Sequence, residues 1–301
     1  SHMLSGLAQA PPGQQVHKHV RQGQQSDWNI EHIIEWLTPG PMPDRVKQQP
    51  VWESEWHLHE ARQLTHDMTT GFPLRFEGDR SQSVDANNGS SYENNPTEAL
   101  AGIEAELQKG NLIGPFDQPP LQGFRVTPRS LKDEGDKFRH ISMGNQPLGN
   151  SVNDGIAKVD KIQLARGQDI DRRIRQCYQQ TGQVWMAKAD IKSAYRTMPV
   201  LPEDWHLQGV KHAGKYYIDT KMSFGCRASV DQWLRFADAI AWCMARQGII
   251  VAWYVDDFIF IAASEEECAR HKRAFEDMCN DWGARLKQQD NSGPSQEITA
   301  L

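Results

Sequence analysis

Gly248-Ile-Ile-Val-Ala-Trp-Tyr-Val-Asp-Asp-Phe-Ile-Phe-Ile-Ala262 is the stretch on which the fold turns. Two apolar runs, rich in β-branched and aromatic residues, flank Asp256 and Asp257. Runs of this length and composition predict strands buried on at least one face. The two carboxylates are then expected at the turn between them. An Asp-Asp turn on a surface hairpin is ordinary. These flanks are too apolar for an isolated hairpin, so the pair is expected on a packed sheet. Neighbouring carboxylates repel, and a cation offsets that cost. Mg²⁺ is a hard ion that takes carboxylate oxygens. On this pattern alone a metal site and a bland turn both stay open.

A third carboxylate lies upstream. Val184-Trp185-Met186-Ala187-Lys188-Ala189-Asp190 is a second apolar run ending in Asp, followed by Ile191-Lys192-Ser193-Ala194-Tyr195-Arg196. Asp190-x-x-x-Ala194-Tyr195 at a strand end, with Tyr254-x-Asp256-Asp257 at a later hairpin tip, resembles motifs A and C of reverse transcriptases.

Composition sets bounds. A chain of 301 residues has room for one large domain or two modest ones. Ser1-His2-Met3 reads as an expression scar. No apolar run approaches the roughly 18 residues that span a bilayer, so no membrane partner is expected. Five cysteines, odd in number and without Cys-x-x-Cys spacing, point to an intracellular, reducing compartment and away from a zinc module. His57 and His59 read as a polar face rather than as ligands. The net charge of −6 does not advertise a nucleic-acid binder, although a cleft needs only a local basic lining.

Four segments are expected. Residues 1–25 comprise the tag and a disordered leader rich in Gln, Gly and Pro. Residues 26–95 form a Trp-rich extension and linker. Trp28, Ile33, Ile34 and Leu37 suggest a short helix stopped by Pro39, and Trp28, Trp36, Trp52 and Trp56 are read as packing this arm onto a larger body rather than as stacking on bases. Residues 96–183 open with a helix carrying Leu100, Ile103 and Leu107 and closing at Gly110. Arg125, Arg129, Lys132, Lys137 and Arg139, interleaved with apolar residues, then suit a β-ribbon with a basic face, which suggests phosphate contact. Ile170, Ile174, Cys177 and Tyr178 mark a further helical stripe. Residues 184–301 hold the carboxylates, a hairpin near 206–221 turning at His212-Ala213-Gly214, and two more helices. One has Ser229 and Gln232 as its capping box and a stripe of Val230, Trp233, Leu234, Ala237, Ile240, Ala241 and Met244. The other is capped by Ser264 and Glu267 and buries Cys268, Phe275, Met278, Cys279 and Trp282. A last strand is expected near Ile298. Strand, helix, hairpin and helix in this order make an α+β sheet of split βαβ type, antiparallel and small, with helices on one face.

Gly114-Pro115-Phe116, Lys137-Phe138-Arg139-His140-Ile141 and Pro147-x-Gly149-Asn150-Ser151-Val152-Asn153-Asp154 narrow the resemblance to the reverse transcriptases of DIRS-type retrotransposons, which encode a tyrosine recombinase. The likeness runs from about residue 96 to the end. It implies a right-hand polymerase in which 96–183 are mainly fingers and 184–301 the palm, with the 206–221 hairpin on the fingers side. Met143-Gly144-Asn145 departs from the usual Asp-Leu-Ser of the group. The chain stops at Leu301, where a primer-gripping turn is expected to begin, so the thumb is expected to be absent. RNase H and recombinase regions would be downstream partners in a polyprotein.

The resemblance implies roles. Asp190, Asp256 and Asp257 would be the catalytic carboxylates and hold two Mg²⁺ ions, with Mn²⁺ as an alternative. Two such ions about 3.5–4 Å apart stabilise the attacking and leaving oxygens of phosphoryl transfer together. Lys132 and Arg139 would meet the triphosphate of a dNTP, and Tyr195 would exclude a ribose 2′-hydroxyl, against the plain alternative of a core tyrosine. Phe224-Gly225-x-Arg227-x-Ser229 matches motif B, with Gly225 admitting close backbone approach to nucleotide or template. Tyr254, Phe224 and Arg227 would support the site. Relatives carry a Lys before a Gly-Pro pair; Gly293-Pro294 is here, Asp290 stands in the Lys place, and Lys287 is the nearest substitute. The expected function is RNA-directed DNA synthesis on a primed RNA or DNA template. A domesticated, weakly active or inactive module that binds RNA or protein is the alternative. A metal-dependent nuclease accounts for the carboxylates but not for Tyr195 or the basic ribbon.

Overall fold

The computed structural model describes residues 28–38, 43, 58–158, 167–288 and 292–297. The expected leader, Trp52, Trp56, His57, Asp290 and the strand position Ile298 lie outside them. The described α-helices are α1 (Ile30–Trp36), α2 (Leu58–Thr70), α3 (Ser90–Glu93), α4 (Pro96–Gln108), α5 (Val152–Gly155), α6 (Gly167–Thr181), α7 (Arg227–Arg246) and α8 (Glu265–Trp282), with 3₁₀ turns at Ala194–Thr197 and Pro202–Leu207. The strands are β1 (Leu112–Phe116), β2 (Arg129–Asp133), β3 (Phe138–Ser142), β4 (Trp185–Asp190), β5 (Gly209–His212), β6 (Lys215–Asp219), β7 (Val251–Tyr254), β8 (Asp257–Ala262) and β9 (Ser292–Ser295). The architecture is α+β with antiparallel sheets. No described helix is long and apolar enough to cross a membrane.

The chain forms two compact units. One takes in Asp67–Val159 and Tyr195–Asp231, the other Asp27–His66, Asp160–Ala194 and Gln232–Leu301. Segments 96–183 and 184–301 each contribute to both.

The second unit is built on a sheet ordered β7-β8-β4-β9. β8 is central, and its Phe-Ile-Phe-Ile sequence is apolar in both parities. Successive side chains point to opposite faces, so such a strand needs cover on both. Phe258 and Phe260 meet Phe275 of α8, at ring centroids of 4.9 and 5.3 Å. Ile259 and Ile261, with Ala252, pack with Ile170 and Ile174 of α6. Helices therefore lie on both faces, where one was expected. Tyr178 of the predicted α6 stripe is exposed. α8 begins as its sequence predicts: Ser264 Oγ accepts from Glu267 N at 3.1 Å, and Gly283 closes it at φ +82°. α1 docks here too, with Trp28 on Phe236 at 4.5 Å, and Asp281 accepting from Trp36 Nε1 at 2.8 Å while pairing with His32 Nδ1 at 2.6 Å. Both described tryptophans of the arm thus pack on the body.

The first unit holds the sheet β1-β6-β5 and the β2–β3 ribbon. Ile103 of α4 packs on Leu112, Val210 and Tyr217; Leu100, expected beside it, is exposed. The β5–β6 hairpin turns through Ala213 and Gly214, at φ +47° and +73°. Positive φ at both positions is the twist-matched two-residue turn. Within the expected extension and linker lies α3, whose Tyr92 is buried with Ala99 and Leu131. Ser229 is not the cap of α7, which starts at Arg227. Asn153 caps it instead, its Oδ1 accepting from Arg227 N at 2.8 Å, while Ser229 Oγ donates to the Ser223 carbonyl at 2.7 Å.

Candidate active site

β4 and β8 run antiparallel from Trp185↔Ala262 to Asp190↔Asp257, so the register itself places Asp190 opposite Asp257. Tyr254 pairs with Asp257 from the other side. That leaves Val255 and Asp256 as the whole turn. Asp257 is therefore the first strand residue, not the second turn residue expected. Val255 has φ +54°, a sparsely populated region for a β-branched side chain, and it costs on the order of 1–3 kcal/mol. Neighbouring chain holds the turn in place: buried Trp233 of α7 donates its indole N–H to the Val255 carbonyl at 2.6 Å. Ile191 N donates to the Asp256 carbonyl at 3.3 Å.

Two lysines meet the three carboxylates. Lys287 Nζ lies 2.7 Å from Asp190 Oδ2 and 3.9 Å from Asp256 Oδ2. Lys188 Nζ lies 3.0 Å from Asp257 Oδ1, close enough to pair but not aligned as a hydrogen bond. Asp190 is only 5% exposed. Burial, with the charges of Asp256 and Asp257, pushes its carboxyl up to about 6 against the pull of Lys287. Burial raises Asp256 as well. Among the described residues no three His, Cys, Asp or Glu side chains converge as a ready metal cage. The donors still suit a hard divalent ion: all are carboxylate oxygens, and a cation's charge already bridges Asp190 and Asp256 in the form of Lys287.

The remaining candidates, Tyr254 apart, belong to the first unit. Lys132 and Arg139 are directly opposite in the β2–β3 ribbon, and both are exposed. Like charges in such a pair repel, which favours a bound anion there. Arg139 also pairs with Glu134 at 2.9 Å. Tyr195 is 5% exposed, and its ring rests on Phe224 at a centroid distance of 4.7 Å; the exposed ring is Phe224, at 57%. Gly225 sits at φ +91°, and a Cβ there would come within 2.1 Å of the Ser142 carbonyl. A Cβ on Gly144 would meet the Gly225 carbonyl at 2.1 Å. These two glycines let one backbone approach another, which gives Met143-Gly144-Asn145 its physical reason. Arg227 Nη1 donates to the Asn153 and Ile156 carbonyls at 2.6 and 3.0 Å, a structural use. Tyr254 is partly exposed at the end of β7.

Arg125 and Arg129 do not belong to a basic face. Arg125 is buried and bonded to Asn150 and Gln82. Arg129 pairs at 2.9 Å with Asp219, itself buried, which Arg196 also engages at 2.9 Å while reaching Glu106. Sequence reading missed Arg196, Asp219 and the Trp233 contact, whose partners are remote in the chain. Lys188 was legible: it is two residues before Asp190 on the same strand, hence on the same face.

Residues 124–289 match the family model for reverse transcriptase (RNA-dependent DNA polymerase), and the chain belongs to that family. Its fold resembles the native prototype foamy virus protease-reverse transcriptase (18% identity, TM-score 0.52, covering 71% of this chain and 26% of that one). It also resembles the foamy viral protease-reverse transcriptase in complex with RNA/DNA hybrid (16%, 0.56, 89% and 37%). A third likeness is to the foamy viral protease-reverse transcriptase dRH in complex with ds DNA (15%, 0.55, 89% and 48%). At these identities the likeness is one of fold, and this chain spans less than half the length of those three chains. No curated protein matches the chain.

Proposed function

We propose that this chain is the fingers and palm of a retroelement reverse transcriptase, most like the DIRS type, and that it extends a primer by RNA-templated DNA synthesis. The observation that carries this reading is the β4–β8 register, which sets Asp190 against Asp257, with Asp256 in the adjoining turn. Asp190 and Asp256 would hold divalent ions, Mg²⁺ or Mn²⁺, with Asp257 in support. Bound ions supply charge neutralisation at the attacking and leaving oxygens. The primer 3′-oxygen forms the new bond to the α-phosphorus, its proton passes to solvent water, and the bond to the pyrophosphate leaving group breaks. Lys132 and Arg139 bind the triphosphate oxygens of the dNTP. Tyr195 and Phe224 act as one aromatic unit, with Phe224 offering the surface and Tyr195 backing it. Phosphoryl transfer is mainly positioning and charge neutralisation, and both chemistries are supplied by these residues. Template, primer and dNTP are the partners, with downstream regions of a polyprotein beyond them.

The pairing of the carboxylates with Lys287 and Lys188 favours a second reading, a weakly active or inactive module that binds RNA or protein. Primer extension with labelled dNTPs on RNA and DNA templates separates the two. Asp256→Asn is expected to abolish extension while leaving the melting transition in place. Extension that persists in EDTA, or undiminished in Asp256→Asn, would sink the polymerase reading.

A further inference from the structure

Lys287 is not a loose surface lysine that happens to find an acid. Its backbone is fixed beside Asp190: Lys287 N donates to the Asp190 carbonyl at 2.9 Å, and Lys192 N to the Arg285 carbonyl at 2.8 Å. Ile191 and Leu286 form an antiparallel bridge between these bonds. The segment therefore continues the edge of β4 and delivers Nζ to Asp190 Oδ2 at 2.7 Å, within 3.9 Å of Asp256 Oδ2. Lys188 takes Asp257 on the same face. Three carboxylates and two ammonium groups leave a local charge of about −1.

A carboxylate oxygen that accepts a short bond from an ammonium is not free to ligate a metal. Lys287 and a divalent ion also repel each other at such separations. We propose that Lys287 is a tethered counter-cation that competes with divalent metal for Asp190 and Asp256, and so sets the metal concentration at which the pair is loaded. This rests on the reading of Asp190 and Asp256 as metal ligands. Lys287 has a flexible four-carbon stem and its side chain is 35% exposed, so the ammonium has a route to solvent when displaced. Lys188, at 14%, has less freedom and pairs with Asp257, the carboxylate assigned only a supporting part.

The test is Mn²⁺ binding to the whole chain, followed by electron paramagnetic resonance, in wild type, Lys287→Met, Lys287→Arg and Asp190→Asn. Lys287→Met is expected to bind Mn²⁺ about tenfold more tightly than wild type, with Lys287→Arg close to wild type. A second measurement needs no variant: amine acylation of the wild-type chain, read by mass spectrometry, is expected to label Lys287 more strongly as Mn²⁺ is added. Equal or weaker Mn²⁺ binding by a folded Lys287→Met, or labelling of Lys287 that does not rise with Mn²⁺ bound, would overturn the competition while leaving the metal reading standing. Mn²⁺ bound by neither wild type nor Lys287→Met would remove the metal reading itself. So would undiminished binding by Asp190→Asn.

Discussion

Tyr195 carries the sharpest question at the scale of one residue. The resemblance makes it a gate, yet its ring is 5% exposed and packs against Phe224. Any influence on a nucleotide would then pass through Phe224. Tyr195→Val removes the ring that Phe224 rests on, and the expected outcome is a rise in ribonucleotide over deoxyribonucleotide insertion of about tenfold, the size of a lost contact of ~1–2 kcal/mol. Single-nucleotide insertion kinetics check this; a ratio that stays put assigns Tyr195 to the core. Both the residue type and its place were legible in the sequence. Burial was not, because it depends on where Phe224, well downstream, lays its ring. The same holds for Trp233, whose place on an apolar stripe is plain from periodicity while its bond to the Val255 carbonyl is not.

Among the elements, α1 shows how a short helix can be held by charge at its end. His32 pairs with Asp281, and that bond raises the imidazole above its usual value. Asp281 is lowered, by Trp36 first and by His32. The His32 contribution is fully present below the unfolded imidazole value of about 6.5 and fades as pH rises through the higher folded value. Limited proteolysis at the N-terminal arm is therefore expected to be slower at pH 6 than at pH 8.5, and His32→Gln is expected to erase the difference. Equal cleavage rates in wild type would show that apolar contact of Trp28 and Ile33 alone holds the helix. Where an element is organised by its own neighbours the sequence is a good guide: α8 carries its cap and its closing glycine within its own span. α7 is the contrary case. Its N-terminal partner is Asn153, far upstream, and no local pattern announces it. The face that α6 covers was legible in principle, since an apolar run in both parities asks for two layers of cover.

For the whole molecule a net charge of −6 would make any nucleic-acid binding depend on a few well-placed cations. The basic run looked like five such groups. Arg125 and Arg129 are spent inside the fold, on Asn150 and Asp219, leaving Lys132, Lys137 and Arg139 on the exposed ribbon. Each phosphate contact contributes roughly 0.7–0.9 to the slope of log K against log salt, so a shallow slope of about 2–3 is expected. Lys132→Ala is expected to lower that slope by about one, measured by duplex binding across a salt series. A wild-type slope well above 3 would place phosphate contacts elsewhere on the surface. Polarity told which residues carry charge; it could not tell which of them already had an internal partner.

The β4–β8 register has a consequence for how such a site changes over generations. Side chains alternate with a period of two, so a slip of one residue would carry Asp190 to the opposite face and bring Ala189 in its stead. Insertions and deletions in either strand are therefore all-or-nothing events for the carboxylates. Lineages can retune this chemistry only by exchanging one side chain for another, while length variation is confined to the loops. Alignments of this region should accordingly show no gaps between 185 and 190 or between 257 and 262.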